Sequence, residues 1–407
     1  MPDAKASQDS DTAAKASPLI GVDLHGTGIH PSAWRRVDSQ AEDVFSARYW
    51  TGLLASLDRS GADLAFIGDS FALAEHGDAV QRGRLDAVSI AARATTATHR
   101  IGLVPTVTVT HTEPFHVSKA IASLDHTTLG RAGWQVAVSE GATQARLFGR
   151  KDAQDTADLW AEAEEAIEVV TRLWDSWEDD AEIRDLDSGR FVDRDKLHYI
   201  DFVGTYFSVK GPSITPRPPQ GHPLVVVSVD DAESLRLAAA RADVVRVSAL
   251  DAATARERSE QVRAAAVEAG RRADDVRILL DVEVLTAADA DVAERDLAEL
   301  EQWADARYAP ESLLYVGDTD GLVDLIDTVT GSPTGEAGHL DGVTVRPLAL
   351  ASAVALLADR VLPRLRRDVS ATEPTPPDAT ALRRRLGVVR PANLFVEQAL
   401  RGTGPTT

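Results

Sequence analysis

Apolar positions along this chain recur with two periods, and stretches of one period alternate with stretches of the other. Short runs in which most residues, or every second one, are apolar predict strands at Leu19–Leu24, Asp63–Gly68, Ile101–Thr110, Trp134–Ser139, Leu224–Val229, Val244–Ser248, Ile278–Leu285 and Val343–Leu348. Longer runs with apolar residues three and four apart predict helices at Arg48–Ser60, Leu85–Thr98, Pro114–Asp125, Ala157–Trp174, Ala232–Ala242, Ala252–Ala269 and Ala290–Trp303. Further helices are predicted at Gly321–Val329 and Leu350–Leu362. The stretch from Glu113 to Ser139 shows both periods side by side. Pro114 suits a first helical turn, and Val117, Ile121 and Leu124 share one face. Glycines then break the run between Thr127 and Gly133, and Trp134, Val136 and Val138 resume at strand spacing.

Strands and helices in strict alternation predict an α/β fold with a parallel sheet, and eight such units match a (β/α)8 TIM barrel with insertions. The segment Glu178–Pro223 is too irregular for a barrel helix and too aromatic for a disordered stretch, so it is expected to fold over one end of the barrel. Ser370–Asp378, SATEPTPPD, has the composition of a linker. The expected organisation is a disordered tail over 1–17, a barrel over 18–369 with its insertion at about 178–223, and a linker with a C-terminal docking segment over 370–407. No internal repeat marks a solenoid.

Composition narrows the partners. The chain has 407 residues, and its 43 Lys and Arg against 64 Asp and Glu give a formal charge of −21. A surface this acidic argues against nucleic acid and against anionic membranes. The absence of cysteine excludes disulfides, thiolate catalysis and cysteine-held metals. The N-terminal residues lack the apolar core of a secretory signal, and no run approaches about 18 consecutive apolar residues. A cytoplasmic protein is the expectation.

Chemistry in such a barrel gathers at the C-terminal ends of the strands. Asp69 and Ser70 follow LAFIG there, a pair that equally suits a helix cap or a turn. His111 follows the third strand and Ser139 the fourth. His111 is the candidate catalytic polar group, although a histidine at a strand end also serves as an ordinary loop residue. Trp34, Phe71 and Trp134 are candidates for an apolar wall, while Trp174 and Trp177 have the spacing of packing residues. His25 with His30, and His116 with His126, lack any metal-ligand spacing with a nearby carboxylate, so no metal is expected. The serine-nucleophile pattern GxSxG and the phosphate-binding P-loop are both missing.

Several segments carry a resemblance. In order along residues 19–390 they are GTGIHPSAWR, DLAFIGDS, THTEPFHVSKAIASLDHTTLGRAGWQVAVS, LWDSWEDDAEI, SGRFVD, KLHYIDFVGTYFSVKGPSITPRPPQGHPLV, and RLRRD followed by LRRRLG. Together they resemble the nitrilotriacetate monooxygenase group of the bacterial luciferase-like flavin-dependent monooxygenases. The resemblance implies a TIM barrel, reduced FMN delivered by a separate flavin reductase, dioxygen as co-substrate, a small organic substrate, and a homodimer or homotetramer.

By the same resemblance, Asp69 and Thr106 occupy flavin-contacting positions. Elsewhere the pattern departs. The His, Arg and Tyr that the family sets ahead of its long helix align with Thr156, Leu159 and Trp160. The family's glycine- and serine-containing phosphate turn aligns with Val227-Ser228-Val229-Asp230-Asp231, with Val229 at the glycine and Asp231 at the serine. The usual asparagine of the fourth strand is Gln135. The cofactor-facing candidates are therefore Asp69, Thr106, Ser139, Thr156, Trp160, Ser228 and Asp231. A phosphate about 5 Å from a carboxylate is repelled by several kcal/mol at an effective dielectric near 20. Arg146 and Arg246 are the candidates to offset that repulsion. The residues leave open an FMN-dependent monooxygenase with an altered phosphate site, a flavin-free paralogue serving as a partner subunit or small-molecule binding protein, and an oxidoreductase using a deazaflavin.

Overall fold

Because side chains alternate across a strand, each strand here feeds two cores, one inside a barrel and one beneath a coat of helices. The structure, a computed structural model, describes residues 17–72, 83–332, 336, 338–366 and 381–402. Residues 1–16 of the expected tail, and the expected linker, lie outside the described residues. The strands β1 (Leu19–Leu24), β2 (Leu64–Ile67), β3 (Gly102–Thr108), β4 (Gly133–Ala137), β5 (Leu224–Val229), β6 (Val244–Val247), β7 (Arg277–Ala287) and β8 (Gly342–Pro347) pair in parallel, each with the next, and β8 closes on β1. This is the (β/α)8 barrel that the alternation predicts, and its strands lie where the apolar runs put them, to within two residues at each end.

Two short antiparallel pairs inside the insertion, Glu182–Asp185 with Arg190–Val192 and Phe202–Val203 with Ser208–Val209, escaped the pattern, and so did one strand of the barrel sheet. Leu313–Asp318 pairs with Val282–Ala287 of β7, taking over the edge that β6 leaves at Leu280. β7 is longer than its neighbours, and an overhanging edge with unpaired backbone groups recruits a partner. The last predicted helix also differs, since Leu350–Leu356 passes through a π turn at Leu357–Val361 before Leu362–Leu365. Pro363 supplies no N–H to an α-helical ladder, and the wider turn just before it accommodates the loss.

Residues such as Val22, Ile67, Val136, Val227, Val245 and Leu280 face the helices. Their neighbours Leu64, Phe66, Val104, Leu224, Val226, Val244 and Leu279 form a separate core with Leu382, Leu386 and Val388 from the C-terminal segment. The short helix Ala381–Leu386 thus closes the N-terminal end of the barrel. Arg383, almost wholly buried, fixes it by donating to Asp243 and to the carbonyls of His222 and Val389. With that end shut, the cavities at the opposite, C-terminal end of the strands are the ones open to solvent. Val388→Ala removes two buried methyl groups from this seal and is expected to cost roughly 1–2 kcal/mol, read as a lower urea midpoint with an unchanged slope.

Residues 178–223 lie along the flank of the helix Thr156–Asp175. Backbone N–H groups of Thr205, Tyr206 and Phe207 donate to Glu165, and the Tyr206 hydroxyl reaches Asp158 in the helix's first turn. At the other end Arg217 donates to Asp175, Asp179 and the Pro391 carbonyl. Among the described residues, no helix is long and apolar enough to cross a membrane.

Candidate active site

The positions that face the barrel axis change from apolar to charged as the strands rise toward their C-terminal ends. Above Leu64, Phe66, Val104 and Val226 come Asp23, Gln135, Arg246 and Asp281, all on inward-facing positions. Arg246 spans the barrel. Its Nε and Nη2 donate to the two oxygens of Asp281 at 2.9 and 2.8 Å, Nη2 also donates to Asp23 at 3.0 Å, and Nη1 donates to Gln135 Oε1 at 2.9 Å. The guanidinium lies 4.7 Å from the centre of the Phe66 ring, so an aromatic face supports it from the apolar layer.

A second arginine sits within ion-pair reach. Arg346 approaches Asp23 at 3.6 Å, Asp281 at 3.8 Å and Glu283 at 3.3 Å. Glu283 also accepts the Tyr308 hydroxyl at 2.8 Å. Burial alone would raise the Asp23 pKa, but Arg246 and Arg346 hold it below the usual carboxylate range. Glu283 goes the other way, raised by burial that its partners do not overcome. The result is a hydrogen-bonded, charged plate across the barrel floor.

Over this plate, the turn after β1 carries His25. Gly28 N–H donates to the His25 carbonyl, Leu350 N–H to the Thr27 carbonyl, and the Tyr49 hydroxyl to the Gly26 carbonyl. A Cβ on Gly28, which has φ +134°, would strike the Leu348 carbonyl, and one on Gly68 would strike the His25 ring. His25 is open to solvent yet walled by protein. Its pKa is lowered by lost hydration first and then by Arg84 and Arg346, against the pull of Asp23 and Asp69. It lines a cavity of about 170 Å³ with Thr27, Ile29, His30, Val44, Trp50, Arg84, Leu85 and Ile90.

The predicted site residues disperse around the mouth. Asp69 follows β2, and its two oxygens accept the backbone N–H groups of Ser70 at 2.7 Å and Ala87 at 2.9 Å. Its pKa is raised, chiefly by burial. Thr106 and Ser228 face inward, and Ser228 meets Gln135 Nε2 at 3.5 Å, the outer limit of a hydrogen bond. Ser139 is buried with its N–H on Thr110 and its hydroxyl without a partner. Thr156 opens its helix, exposed, one residue after the Asp155 cap. Trp160 is buried in the main core with its indole N–H unpaired.

His111 stands apart from the His25 cavity. Its ring stacks on Phe148 at 4.6 Å, and Phe71 meets the same Phe148 edge-on. It lines an open pocket with Lys151, Gln154, Glu162 and Tyr206, in which Lys151 donates to Glu162 at 2.5 Å. Burial and then Lys151 lower the His111 pKa. The centre of the mouth therefore belongs to Asp23, His25, Arg246, Asp281 and Arg346, of which the sequence pointed only to Arg246, and to that as a partner for phosphate rather than for buried carboxylates.

The comparisons with known proteins agree with this architecture. The profile of the family described as Luciferase-like monooxygenase matches residues 27–362. The chain belongs to the luciferase-like monooxygenase family. Among the relatives of this luciferase-like chain, nitrilotriacetate monooxygenase component A of Aminobacter aminovorans is 34% identical over 312 residues, covering 74% of this chain and 66% of that protein. N-acetyl-S-(2-succino)cysteine monooxygenase of Bacillus subtilis (strain 168) is 32% identical over 290 residues, covering 71% and 66%. Each match thus spans just under two thirds of the relative's length. The solved structure of long-chain alkane monooxygenase superposes with a TM-score of 0.81 at 21% identity, covering 91% of this chain and 96% of that one.

Against the FMN that the resemblance implies, the residues of this luciferase-like barrel do not fit the phosphate. At the turn after β5, the N–H groups of Asp230 and Asp231 donate to Ser234 Oγ at 3.1 and 3.0 Å. Asp231 caps the helix Ala232–Arg241 by accepting Ser234 N–H at 2.7 Å. The amides that would cradle an anion are spent on the turn itself, and the anion position at the helix start holds the protein's own carboxylate. Asp230 adds a second, its pKa raised by burial and by Asp281, Asp231 and Glu311. Of the two cations expected to offset them, Arg246 is committed to Asp23 and Asp281 and Arg146 lines a separate hollow with Arg150 and Lys151, while Arg258 lines the hollow beside Asp230 and Asp231.

Proposed function

We propose that this chain is the oxygenase component of a flavin-dependent monooxygenase that takes a small organic substrate at the C-terminal mouth of the barrel, with an altered FMN phosphate site. Family membership supports the reaction class, and the open mouth above the Arg246 plate, opposite an end sealed by Leu382, Leu386 and Val388, carries the placement. The proposal includes reduced FMN supplied by a separate flavin reductase, in keeping with a relative named as a component A, a cytoplasmic setting, and a homodimer or homotetramer. His25 and Arg84 would orient the substrate, His111 would serve the outer pocket, and the barrel walls would exclude water.

A second reading is favoured by one observation, the self-capped acidic turn at Asp230 and Asp231. In it the chain is a flavin-free partner subunit or binding protein. Anaerobic titration with reduced FMN and reduced riboflavin separates the two. The first reading expects both flavins to bind, with riboflavin no weaker than FMN because the phosphate gains nothing, and oxygen uptake once a flavin reductase is added. Binding of neither flavin sinks the first reading and leaves the second.

A further inference from the structure

We propose that the cavity between the β1 and β2 ends is a substrate subsite for a small carboxylate with a compact apolar body, held between Arg84 and His25. The inference rests on the reading of the mouth as a substrate site and adds the chemical class. Size comes first. At about 170 Å³ the cavity falls below the roughly 300–1,000 Å³ of a site for a drug-sized ligand, so it suits a single ring or a short chain.

Lining chemistry then divides the cavity in two. Ile29, Val44, Trp50, Leu85 and Ile90 supply an apolar wall, and the Trp50 N–H is already spent on the Val44 carbonyl at 2.8 Å, leaving the carbon faces of the indole to the ligand. The same lining carries His25 and Arg84, and Arg84 is positioned by donating Nη2 to the Ala72 carbonyl at 3.2 Å. No Asp or Glu is among the described lining residues, although the whole chain carries a formal charge of −21. Asp69, beside Gly68, interacts with the Arg84 charge but spends its two oxygens on the Ser70 and Ala87 N–H groups, so a guanidinium in this partly enclosed hollow still favours an anion, and its planar fork matches a carboxylate.

The frame that holds these groups is rigid. Asp69 fixes the start of the β2 loop through Ser70 and Ala87, and the His25 turn is tied to Pro347, Leu350 and Tyr49. Gly68 lets the His25 ring lie against the β2 end, because any Cβ there would overlap it. Lost hydration, and then Arg84 and Arg346, disfavour a charged imidazole at His25 against the pull of Asp23 and Asp69, and its ring nitrogens remain available to hydrogen-bond a ligand. Arg346 is engaged with Asp23, Asp281 and Glu283, which leaves Arg84 as the carboxylate's cation.

Calorimetric binding of benzoate and of its uncharged match benzamide tests this on the full chain, without flavin, oxygen or reductase. Benzoate is expected to bind at least about tenfold more tightly than benzamide. Arg84→Met should remove that preference and leave benzamide unchanged, while Arg84→Lys, which keeps a cation, should retain part of it. Gly68→Ala should weaken both ligands by displacing the His25 ring. Equal binding of the two probes, binding of neither, or a preference that survives Arg84→Met overturns the proposal. Turnover with a reductase, measured separately, judges the monooxygenase reading, so each can fail alone.

Discussion

Exchanging Val229 for glycine together with Asp231 for serine raises affinity for reduced FMN at least about tenfold. Asp231 holds a full carboxylate at the start of the helix Ala232–Arg241, where a phosphate would seek backbone N–H groups. Asp231 is exposed, so the interaction is screened. Even with the dielectric of bulk water, a doubly charged phosphate about 5 Å away is repelled by about 1.7 kcal/mol, which is more than tenfold in affinity. Serine keeps a good helix cap while removing the charge, and glycine at the end of β5 lets the backbone approach the ligand. Asp230 remains, and Arg258 lines the same outer hollow, so the gain falls short of a full restoration. Low ionic strength enlarges the effect, because the relieved term is electrostatic. Riboflavin, with no phosphate, is the control and changes little. A double variant no better than the parent, or a parent that already binds reduced FMN at low micromolar affinity, would show that the carboxylate does not govern binding.

Much of the barrel was legible because its signal is repeated. Eight strands whose outward residues pack beneath helices leave apolar runs that periodicity detects, and the helices begin at side-chain caps such as Ser46, Asp155, Asp251 and Asp318. Those caps also use part of the acid excess that composition alone could read only as surface charge. The strand Leu313–Asp318 was missed for a corresponding reason. It is half-buried and exists because β7 overhangs, a consequence of register that no local pattern records.

The site was less legible, although one signal was present. Asp23 in GVDL, Arg246 in VVRV, Asp281 and Glu283 in LLDVEV, and Arg346 in TVRP each interrupt an apolar strand at a position of inward parity. A buried charge requires partners, so three acids and two arginines on the inner faces of a closed barrel predict one another. The family resemblance points instead to Thr156 and Trp160. Their surroundings show an exposed helix start and a packed core, not an axis-facing site. The His25 cavity was hidden by distance along the chain, because Trp50, Gly68 and Arg84 come from three separate segments.

Replacing Arg246 by methionine is expected to destabilise the chain by about 3–5 kcal/mol, the usual cost of stranding the partners of a buried ion pair. Asp23 and Asp281 are both buried and would lose their shared donor, keeping only Arg346 at 3.6 and 3.8 Å. Urea unfolding at pH 7 reads the loss as a lower midpoint with an unchanged slope. The pH dependence identifies its cause. In the parent, the folded-state pKa of Asp23 lies below its unfolded value, so its contribution is present above the unfolded value and is lost as pH falls through the folded one. In the methionine variant, burial loses its main counterweight and the folded-state pKa of Asp23 rises. A raised carboxylate penalises the fold at neutral pH and is relieved by protonation, so the gap between parent and variant narrows as pH falls from about 7 towards 4. Adding Asp23→Asn and Asp281→Asn to Arg246→Met removes the stranded charges and should recover much of the stability at pH 7. A loss below about 1 kcal/mol, or a gap that does not narrow with acid, would mean that Arg346 and water already satisfy both carboxylates and that Arg246 does not hold the barrel floor together.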